Sequence, residues 1–412
     1  MGTFVAGLFD DSTSYWDVTG DATHKWVWPV APNLWLLKID GTSPDVSGLS
    51  RVLDMRCGLL SASGEAKVGD RQFGVTSERF LSWHDRRAGV ERITVECDDG
   101  RPFTLFPGLD DSVPTSRRDF SWDPWVDREC TLEGRHLCRP MARTGQSPSL
   151  HKNVLLWQAK TRASGNGLSI AMTVVCEGVG VEPVNMDGLP GYTVTGESRL
   201  VICRFIGLDS VVTTRSHSES AAAACMQAME QEFDACLAKH EAEMSAFWDR
   251  ADVTIDGPAE DQRAVRFCIL SIGGARPENE LYSVGAKLLA GPWYWGQVFW
   301  DMDVFILPYL TRVFPETARL HIQFRHAGLP EARRKAATRG TRMTVHNTRF
   351  VKFNLDNMSV VTTVPYSSGW TYAYGIAAGD GLLYSTRYDY NSRRNIYRLN
   401  PTSRAVAQTF KD

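Results

Sequence analysis

The sequence lacks the features that mark several large classes of protein. No apolar run reaches the roughly 18 residues that a membrane span needs. Residues 1–10 have neither the basic segment nor the apolar segment of a secretory signal. The formal net charge of −3 gives no electrostatic reason to expect nucleic acid or an anionic membrane as a partner. We therefore expect a cytoplasmic protein with neither kind of partner.

Familiar catalytic and metal-binding motifs are missing as well. The nine cysteines are odd in number and include no Cys-x-x-Cys pair, which favours free thiols in a reducing compartment. There is no Gly-x-Ser-x-Gly, no Gly-x-x-x-x-Gly-Lys and no His-Glu-x-x-His. His321 and His326 are five apart on a predicted helix and would not align as ligands. We expect no metal and no cofactor.

Tryptophan, by contrast, is abundant, with thirteen residues in the chain of 412. The planar face of an indole is a surface on which the C–H groups of a sugar ring stack. Tryptophan also fills protein cores, so the count alone is only a hint of a sugar site.

The period of the apolar residues changes along the chain. Up to about residue 215, short β-rich runs alternate with Gly, Pro, Asp and Ser clusters, which favours a large antiparallel sandwich. Residues 218–250 carry one apolar stripe at three-or-four spacing and predict a long helix. Further helices are predicted after Pro258 and near 298–314 and 316–327.

The densest group of unusual residues is the segment 293–303, in which aromatic side chains surround two carboxylates. Planar faces and hydrogen-bond acceptors together are what a sugar pocket needs. On a regular helix Asp301 and Asp303 diverge by about 200°, so at most one of them faces a given pocket. The same pattern also fits a plain packing role, in which the aspartates are helix N-terminal charges and the core holds Phe299, Trp300, Phe305 and Leu307.

Several separated motifs, in order, resemble glycoside hydrolase family 65. Ser283-Val-Gly-Ala-Lys287 leads into Tyr294-Trp-Gly-Gln-Val-Phe-Trp-Asp-Met-Asp303, where the family has Ser-Ile-Gly-Ala-Lys-Gly-Leu and then Gly-His-Val-Phe-Trp-Asp before an acidic residue. The resemblance covers roughly residues 3–340. The other stretches that carry it are Phe4–Asp10, Leu53–Arg56, Ser77–Phe80, Phe247–Asp252, Pro315–Arg319 and Phe324–Ala336.

The resemblance implies a multidomain β + α fold. An N-terminal antiparallel β super-sandwich would occupy residues 1–217 and a helical linker residues 218–256. The first helices of an (α/α)6 catalytic barrel would follow at 257–340, so that the barrel is incomplete. Residues 341–412 have no counterpart in the family and are expected to form a short, unrelated β-rich tail like a propeller blade.

The resemblance also implies a substrate site. Asp303 stands where the phosphorylases of the family usually have Glu. An Asp at this position looks more like the hydrolase branch of the family, which includes the acid trehalases. Gln297 replaces a His that is common in the family. By resemblance, two residues hold the non-reducing glucose, Trp300 and Asp301, and four neighbour the pocket, Tyr294, Gln297, Asp303 and Arg325.

The catalytic residues stay unknown at this stage. Family members invert the anomeric carbon: a glutamic acid protonates the leaving oxygen while water or phosphate attacks from the other face. After Glu331 the chain has no further Glu, and the family pattern stops at Gly340. We therefore expect a chain truncated before the catalytic acid.

Three functional hypotheses follow. The first is a relative of the inverting α-glucoside hydrolases, of trehalase or α-glucosidase type, that is catalytically incomplete as written. The second is an α-glucoside phosphorylase with inorganic phosphate as co-substrate. The third is a non-catalytic, sugar-binding remnant or fusion product. In each case the expected partner is an α-linked glucoside or disaccharide, and a homodimer is left open.

Overall fold

The structure is a computed structural model that divides into two compact units, Met1–Phe324 and Arg325–Asp412, and each is described by itself. The described residues are 3–11, 26–117, 120–132, 135–136, 153–290, 296, 298–330, 333 and the six strands between 349 and 411.

The first unit holds seventeen described strands and five helical segments. The strands are β1 (Asp10–Asp11), β2 (Trp26–Val27), β3 (Asn33–Ile39), β4 (Asp45–Asp54), β5 (Leu59–Val68), β6 (Arg71–Leu81), β7 (Ala88–Glu96), β8 (Phe103–Asp110), β9 (Thr115–Arg117), β10 (Phe120–Trp122), β11 (Trp125–Leu132), β12 (Arg135–His136), β13 (Leu155–Thr161), β14 (Gly167–Cys176), β15 (Glu182–Met186), β16 (Leu189–Gly196) and β17 (Arg199–Ser210). The helices are α1 (His217–Ala251), α2 (Ala259–Gly274), a π-helical turn (Met302–Ile306), α3 (Leu307–Val313) and α4 (Pro315–Ala327), which runs into the second unit.

Two antiparallel sheets form the bulk of the first unit. One has nine strands in the order β12-β11-β13-β14-β17-β7-β6-β5-β4, and the other has four in the order β15-β16-β8-β3. Apolar side chains of both sheets make one core cluster, which includes Ile39, Leu105, Val95 and Trp157. Nine of the ten positions of β14 are buried, because one face of its sheet meets the smaller sheet and the other face meets α1.

A buried arginine connects the two sheets and forms an ion pair within the larger one. Arg204 of β17 is fully buried and donates to the carbonyl oxygens of Leu34 and Leu36 in β3 at 2.5 and 2.9 Å. Its Nε lies 3.4 Å from a carboxylate oxygen of Glu91, which has only 3% of its surface exposed. Burial raises the pKa of Glu91 and lowers that of Arg204, because a charge is poorly solvated in the sandwich interior.

Helix α1 lies on the outer face of the nine-stranded sheet. It approaches most closely at Gly207 of β17, where a Cβ would overlap the carbonyl oxygen of Ala221 and lie 2.7 Å from the backbone nitrogen of Cys225. The helix is broken in the middle, because Glu232 has φ 63° and ψ 170°. Its apolar stripe stays on one side across the kink, with Phe233 and Met244 among its buried members.

The helices after α1 pack around a third core. Phe247 stacks on Phe314 with centroids 5.6 Å apart and planes 1° apart. The guanidinium of Arg276 lies over Phe314 at 4.2 Å, and burial lowers its pKa to about 10. Met302 and Leu310 fill the same core with at most 2% exposure, which fixes the π-helical turn and α3 against α1 and α2.

In the second unit, the described strands are β18 (Arg349–Phe353), β19 (Val360–Pro365), β20 (Ala373–Gly379), β21 (Leu382–Tyr388), β22 (Arg394–Leu399) and β23 (Val406–Lys411). The last four pair in sequence order as an antiparallel meander.

The predicted fold class is confirmed: an antiparallel β sandwich comes first, helices follow, and a short β-rich tail ends the chain. Helix α2 begins after Pro258, as expected, and α4 begins at Pro315. Cys268 is exposed on α2. Among the described helices, none combines the length and the apolar character of a membrane span.

Candidate functional site

The segment from Trp300 to Ile306 departs from a regular helix. Residues 302–306 form a π-helical turn, in which hydrogen bonds close over five residues instead of four. The expectation of a regular helix from about residue 298 is therefore wrong at this point. Met302 points into the core with 2% exposure, while its chain neighbours Asp301 and Asp303 are half-buried. Such turns are frequent at functional sites, because they turn side chains out of the normal helical register.

The π-helical turn brings two aromatic rings together at the surface. Trp300 and Phe305 are five residues apart, and their ring centroids lie 5.8 Å from each other at an interplanar angle of 45°. Trp300 is 41% exposed and Phe305 is 66% exposed. The packing alternative for Trp300 is therefore wrong, since its ring faces solvent. Exposed flat rings beside carboxylates are suited to the apolar face of a sugar.

Asp303 is held by a buried histidine. The Nε2 atom of His321, in α4, lies 2.6 Å from a carboxylate oxygen of Asp303. The Nδ1 atom of the same ring lies 2.6 Å from the hydroxyl oxygen of Ser283. The His321 side chain is fully buried, Ser283 is 8% exposed, and the Asp303 side chain keeps 38% of its surface exposed. The three residues thus form a chain that runs from the core to the surface.

For a neutral imidazole, the hydrogen bonds of this chain select one tautomer. An ionised carboxylate only accepts hydrogen bonds, so Nε2 carries the proton that faces Asp303. In a neutral imidazole Nδ1 is then an acceptor, and it accepts a hydrogen bond from the Ser283 hydroxyl.

The N-terminal segment packs against the backbone just before the aromatic pair. Gly296 has φ +68°, and a Cβ there would lie 2.8 Å from the Trp28 ring and 2.9 Å from the Phe9 ring. A Cβ on Gly285 would lie 2.8 Å from the carbonyl oxygen of Gly296. Only glycine allows these close approaches. They place Gly285, which follows Ser283 and Val284, directly against the segment that leads into Trp300.

Other contacts anchor this N-terminal segment to the sandwich. The Asp10 carboxylate is fully buried and accepts hydrogen bonds from the backbone nitrogens of Ala163 and Ser164, the latter at 2.6 Å. Gly7 lies against the ring of Tyr282, and burial raises the pKa of that phenol. The sandwich therefore positions one wall of the candidate site.

The predicted site residues fall into three groups. Trp300, Asp301 and Asp303 lie on one continuous segment, with Asp301 half-buried. Arg325 is half-buried in the last turn of α4, within the second compact unit. Tyr294 and Gln297 lie outside the described residues. Their roles in binding stay predictions.

Sequence reasoning missed His321, Ser283 and Phe305 as partners of the site. Ser283 lay in a motif that had been singled out, but nothing in the pattern pairs it with a histidine 38 residues later. Phe305 was assigned to a core because a regular helix does not bring positions 300 and 305 together.

A large cavity elsewhere in the first unit is a weaker candidate. It measures about 1750 Å³ and lies between the sandwich, α1 and α2. Its polar side chains are engaged with one another: Arg87 binds Asp85 and Ser220, and Ser220 binds Asp209. Of the predicted sugar-binding residues that the structure describes in this unit, Trp300, Asp301 and Asp303 do not line it. Within the described part of the chain, no cluster of His, Cys, Asp and Glu could hold a metal ion.

Comparison with known proteins identifies the segment that bears this site. The profile "Glycosyl hydrolase family 65, N-terminal domain" matches residues 1–247, and "Glycosyl hydrolase family 65 central catalytic domain" matches residues 266–350. The π-helical turn, Ser283 and His321 all lie within the second match.

Two relatives and one solved structure illustrate the similarity. A kojibiose phosphorylase of Caldanaerobacter subterraneus subsp. tengcongensis is 43% identical over 109 residues, 26% of this chain and 14% of that protein. A 1,2-alpha-glucosylglycerol phosphorylase of Bacillus selenitireducens is 26% identical over 347 residues, 80% of this chain and 41% of that protein. A human-microbiome protein described as a kojibiose phosphorylase shares the fold at a TM-score of 0.65 and 20% identity, over 82% of this chain and 44% of that one.

The chain thus spans less than half the length of each of these proteins. The family profiles nevertheless match well over half of its own residues, in the order in which the two domains occur. This chain belongs to glycosyl hydrolase family 65.

Proposed function

We propose that residues 300–303 form the glucose-holding part of an α-glucoside phosphorylase site. The observation that carries the proposal is the exposed Trp300–Phe305 pair beside two carboxylates, inside the segment that matches the family's catalytic domain. Trp300 would stack on the sugar ring, and Asp301 and Asp303 would accept hydrogen bonds from its hydroxyl groups. Tyr294, Gln297 and Arg325 are proposed as further neighbours of the pocket.

Phosphorolysis is favoured over hydrolysis by the two relatives described above, which are named as phosphorylases. The hydrolase interpretation rested on Asp303 standing where a Glu is usual in phosphorylases. In the structure Asp303 is engaged by His321 at 2.6 Å, which supports a binding role for its carboxylate. Inorganic phosphate is accordingly the proposed co-substrate, and no cofactor is invoked.

The proposed reaction transfers the glucosyl group with inversion. Phosphate attacks the anomeric carbon, the bond to the leaving oxygen breaks, and a carboxylic acid protonates that oxygen, giving β-glucose 1-phosphate and a free sugar or alcohol. We assign no residue of this chain to the acid, since no Glu follows Glu331 in the sequence. A second candidate function is a sugar-binding protein without turnover, because the exposed aromatic pair beside carboxylates supports binding by itself.

The division of the chain is proposed as a sandwich at 1–217, a linker at 218–256, barrel helices at 257–340 and a separate tail at 341–412. Cytoplasmic localisation and a homodimer stay predictions. The aromatic pair is compatible with either functional candidate, because both require a bound glucoside.

One experiment separates the candidates. The purified chain is titrated calorimetrically with glucose, kojibiose and trehalose, and each disaccharide is then incubated with and without phosphate. Binding with release of β-glucose 1-phosphate supports the phosphorylase, and release of glucose without phosphate supports the hydrolase. Binding without turnover supports the sugar-binding alternative. A chain that binds none of the sugars would rule out every version of the proposal.

A further inference from the structure

We propose that His321 is a positioning residue of the sugar site: its buried imidazole, oriented by the Ser283 hydroxyl, fixes the direction of the Asp303 carboxylate toward the glucoside. The inference rests on the proposed function, because it assigns to a second residue the task of aiming a carboxylate that contacts sugar.

The burial of His321 supports this role. His321 has no exposed surface, whereas the Asp303 side chain is 38% exposed. One end of the hydrogen-bond chain is therefore immobilised in packed protein, and the other end remains accessible to a ligand. A carboxylate restrained on one oxygen loses less rotational freedom when it binds a sugar hydroxyl, which favours affinity.

The two ring nitrogens of His321 have the opposite partners to those in a catalytic triad. In the serine hydrolases the carboxylate binds Nδ1 and the serine binds Nε2; here Asp303 binds Nε2 and Ser283 binds Nδ1. Ser283 is also 8% exposed, so its hydroxyl is poorly placed to attack a substrate. The chain is suited to orienting the carboxylate, with Ser283 as the inner anchor.

The position of Ser283 in the chain also supports this role. Ser283 is two residues before Gly285, whose backbone lies against Gly296. The same short loop thus orients His321 and supports the segment that leads to Trp300. One rigid loop would set both the aromatic and the carboxylate side of the site.

The two amide replacements of His321 give a matched test. In His321→Gln the side-chain amide reaches the place of Nε2 and keeps a donor for Asp303. In His321→Asn the shorter amide reaches only the place of Nδ1 and keeps the contact with Ser283. Both variants exchange a buried ring for a buried amide, so comparable losses of stability are expected, and thermal unfolding checks this.

The probe is kojibiose or glucose, titrated calorimetrically into the full chain. His321→Gln is expected to bind within about threefold of the wild type, and His321→Asn about tenfold more weakly, because Asp303 has lost its charge-assisted donor. Ser283→Ala, which removes only a hydroxyl, is expected to weaken binding by about threefold, because the imidazole is then free to turn.

A spectroscopic readout does not depend on sugar. The ¹⁵N chemical shifts of His321 are expected to show a protonated Nε2 and a bare Nδ1. Ser283→Ala is expected to keep this tautomer, because Asp303 still accepts from Nε2, and to shift the Nδ1 resonance, because its hydroxyl donor is gone. A protonated Nδ1 with bare Nε2 in the wild type would overturn the positioning role, as would equal affinities of the Gln and Asn variants. If the wild type binds no glucoside, the proposed function fails, and the positioning role fails with it.

Discussion

Removal of Arg204 tests whether this buried side chain, through its ion pair with Glu91 and its hydrogen bonds to β3, stabilises the sandwich. The variant is Arg204→Met, which keeps a long side chain and deletes the charge. It leaves Glu91 as a buried carboxylate and the carbonyl groups of Leu34 and Leu36 without their donor. Breaking one side of a buried pair costs about 3–5 kcal/mol. Arg79 lies 3.7 Å from the other oxygen of Glu91 and offsets part of this, so we expect about 3 kcal/mol.

The pH dependence of the same variant has a definite sign. Burial raises the pKa of Glu91 above its unfolded value, so the folded chain binds that proton more tightly. The stability that the protonated form provides is present at low pH and is lost as the pH rises through the folded pKa. Without Arg204 the carboxyl is still harder to ionise. The loss of stability in Arg204→Met is therefore expected to shrink when the pH is lowered from 7 to 5.

The assay is urea unfolding followed by tryptophan fluorescence at both pH values. Lys38→Met is the matched control, because Lys38 pairs at 3.1 Å with Asp187, whose side chain is 76% exposed; such surface pairs are worth at most about 1 kcal/mol. An Arg204→Met variant as stable as Lys38→Met at pH 7 would refute the argument. The same holds if the double variant with Glu91→Leu loses the sum of the two single losses, since removing both charges together spares the orphaned one.

Three further variants test other features. Gly207→Ala is expected to destabilise the protein by about 3 kcal/mol or more, because its Cβ overlaps the α1 backbone at Ala221. Gly74→Ala, with open space around its Cβ, is the control and should be neutral by chemical denaturation. Equal unfolding midpoints of the two variants would contradict the close approach. Glu232→Gly is expected to raise the free energy of unfolding by about 1 kcal/mol, because φ 63° with ψ 170° is a conformation that essentially only glycine adopts. A loss of stability in this variant would show that Glu232 is not strained. Trp300→Ala is expected to weaken glucoside binding by about tenfold in calorimetry and Trp300→Phe by much less, because the second keeps a ring for stacking; unchanged affinity in both would remove Trp300 from the site.

Much of the fold could be predicted because its signals are local and repeated. The alternation of β-rich runs and turns predicts the sandwich, and the spacing of Phe233, Met244 and Phe247 predicts one buried face of α1. The break at Glu232 was not predictable, because a glutamate carries no sign of a positive φ. The burial of Arg204 was not predictable either, since its partners come from strands far apart in the sequence.

The candidate site was predicted in part. Trp300 and the two aspartates stood out because aromatic and acidic residues cluster there, and the family resemblance gave that cluster a meaning. The π-helical turn depends on how Met302 fits its core, and no spacing rule shows that. His321 was considered only as a metal ligand, because the sequence gives no indication that α4 places it beside Asp303.

The close approach of the N-terminal segment to Gly296 also bears on the order of folding during synthesis. Trp28 and Phe9 leave the ribosome about 270 residues before Gly296 does, a delay of roughly 15–50 s at the usual rates of translation. Until then the rings lack the backbone that covers them in the finished protein. The nascent sandwich therefore lacks this backbone contact on its aromatic rings until the site segment has been synthesised.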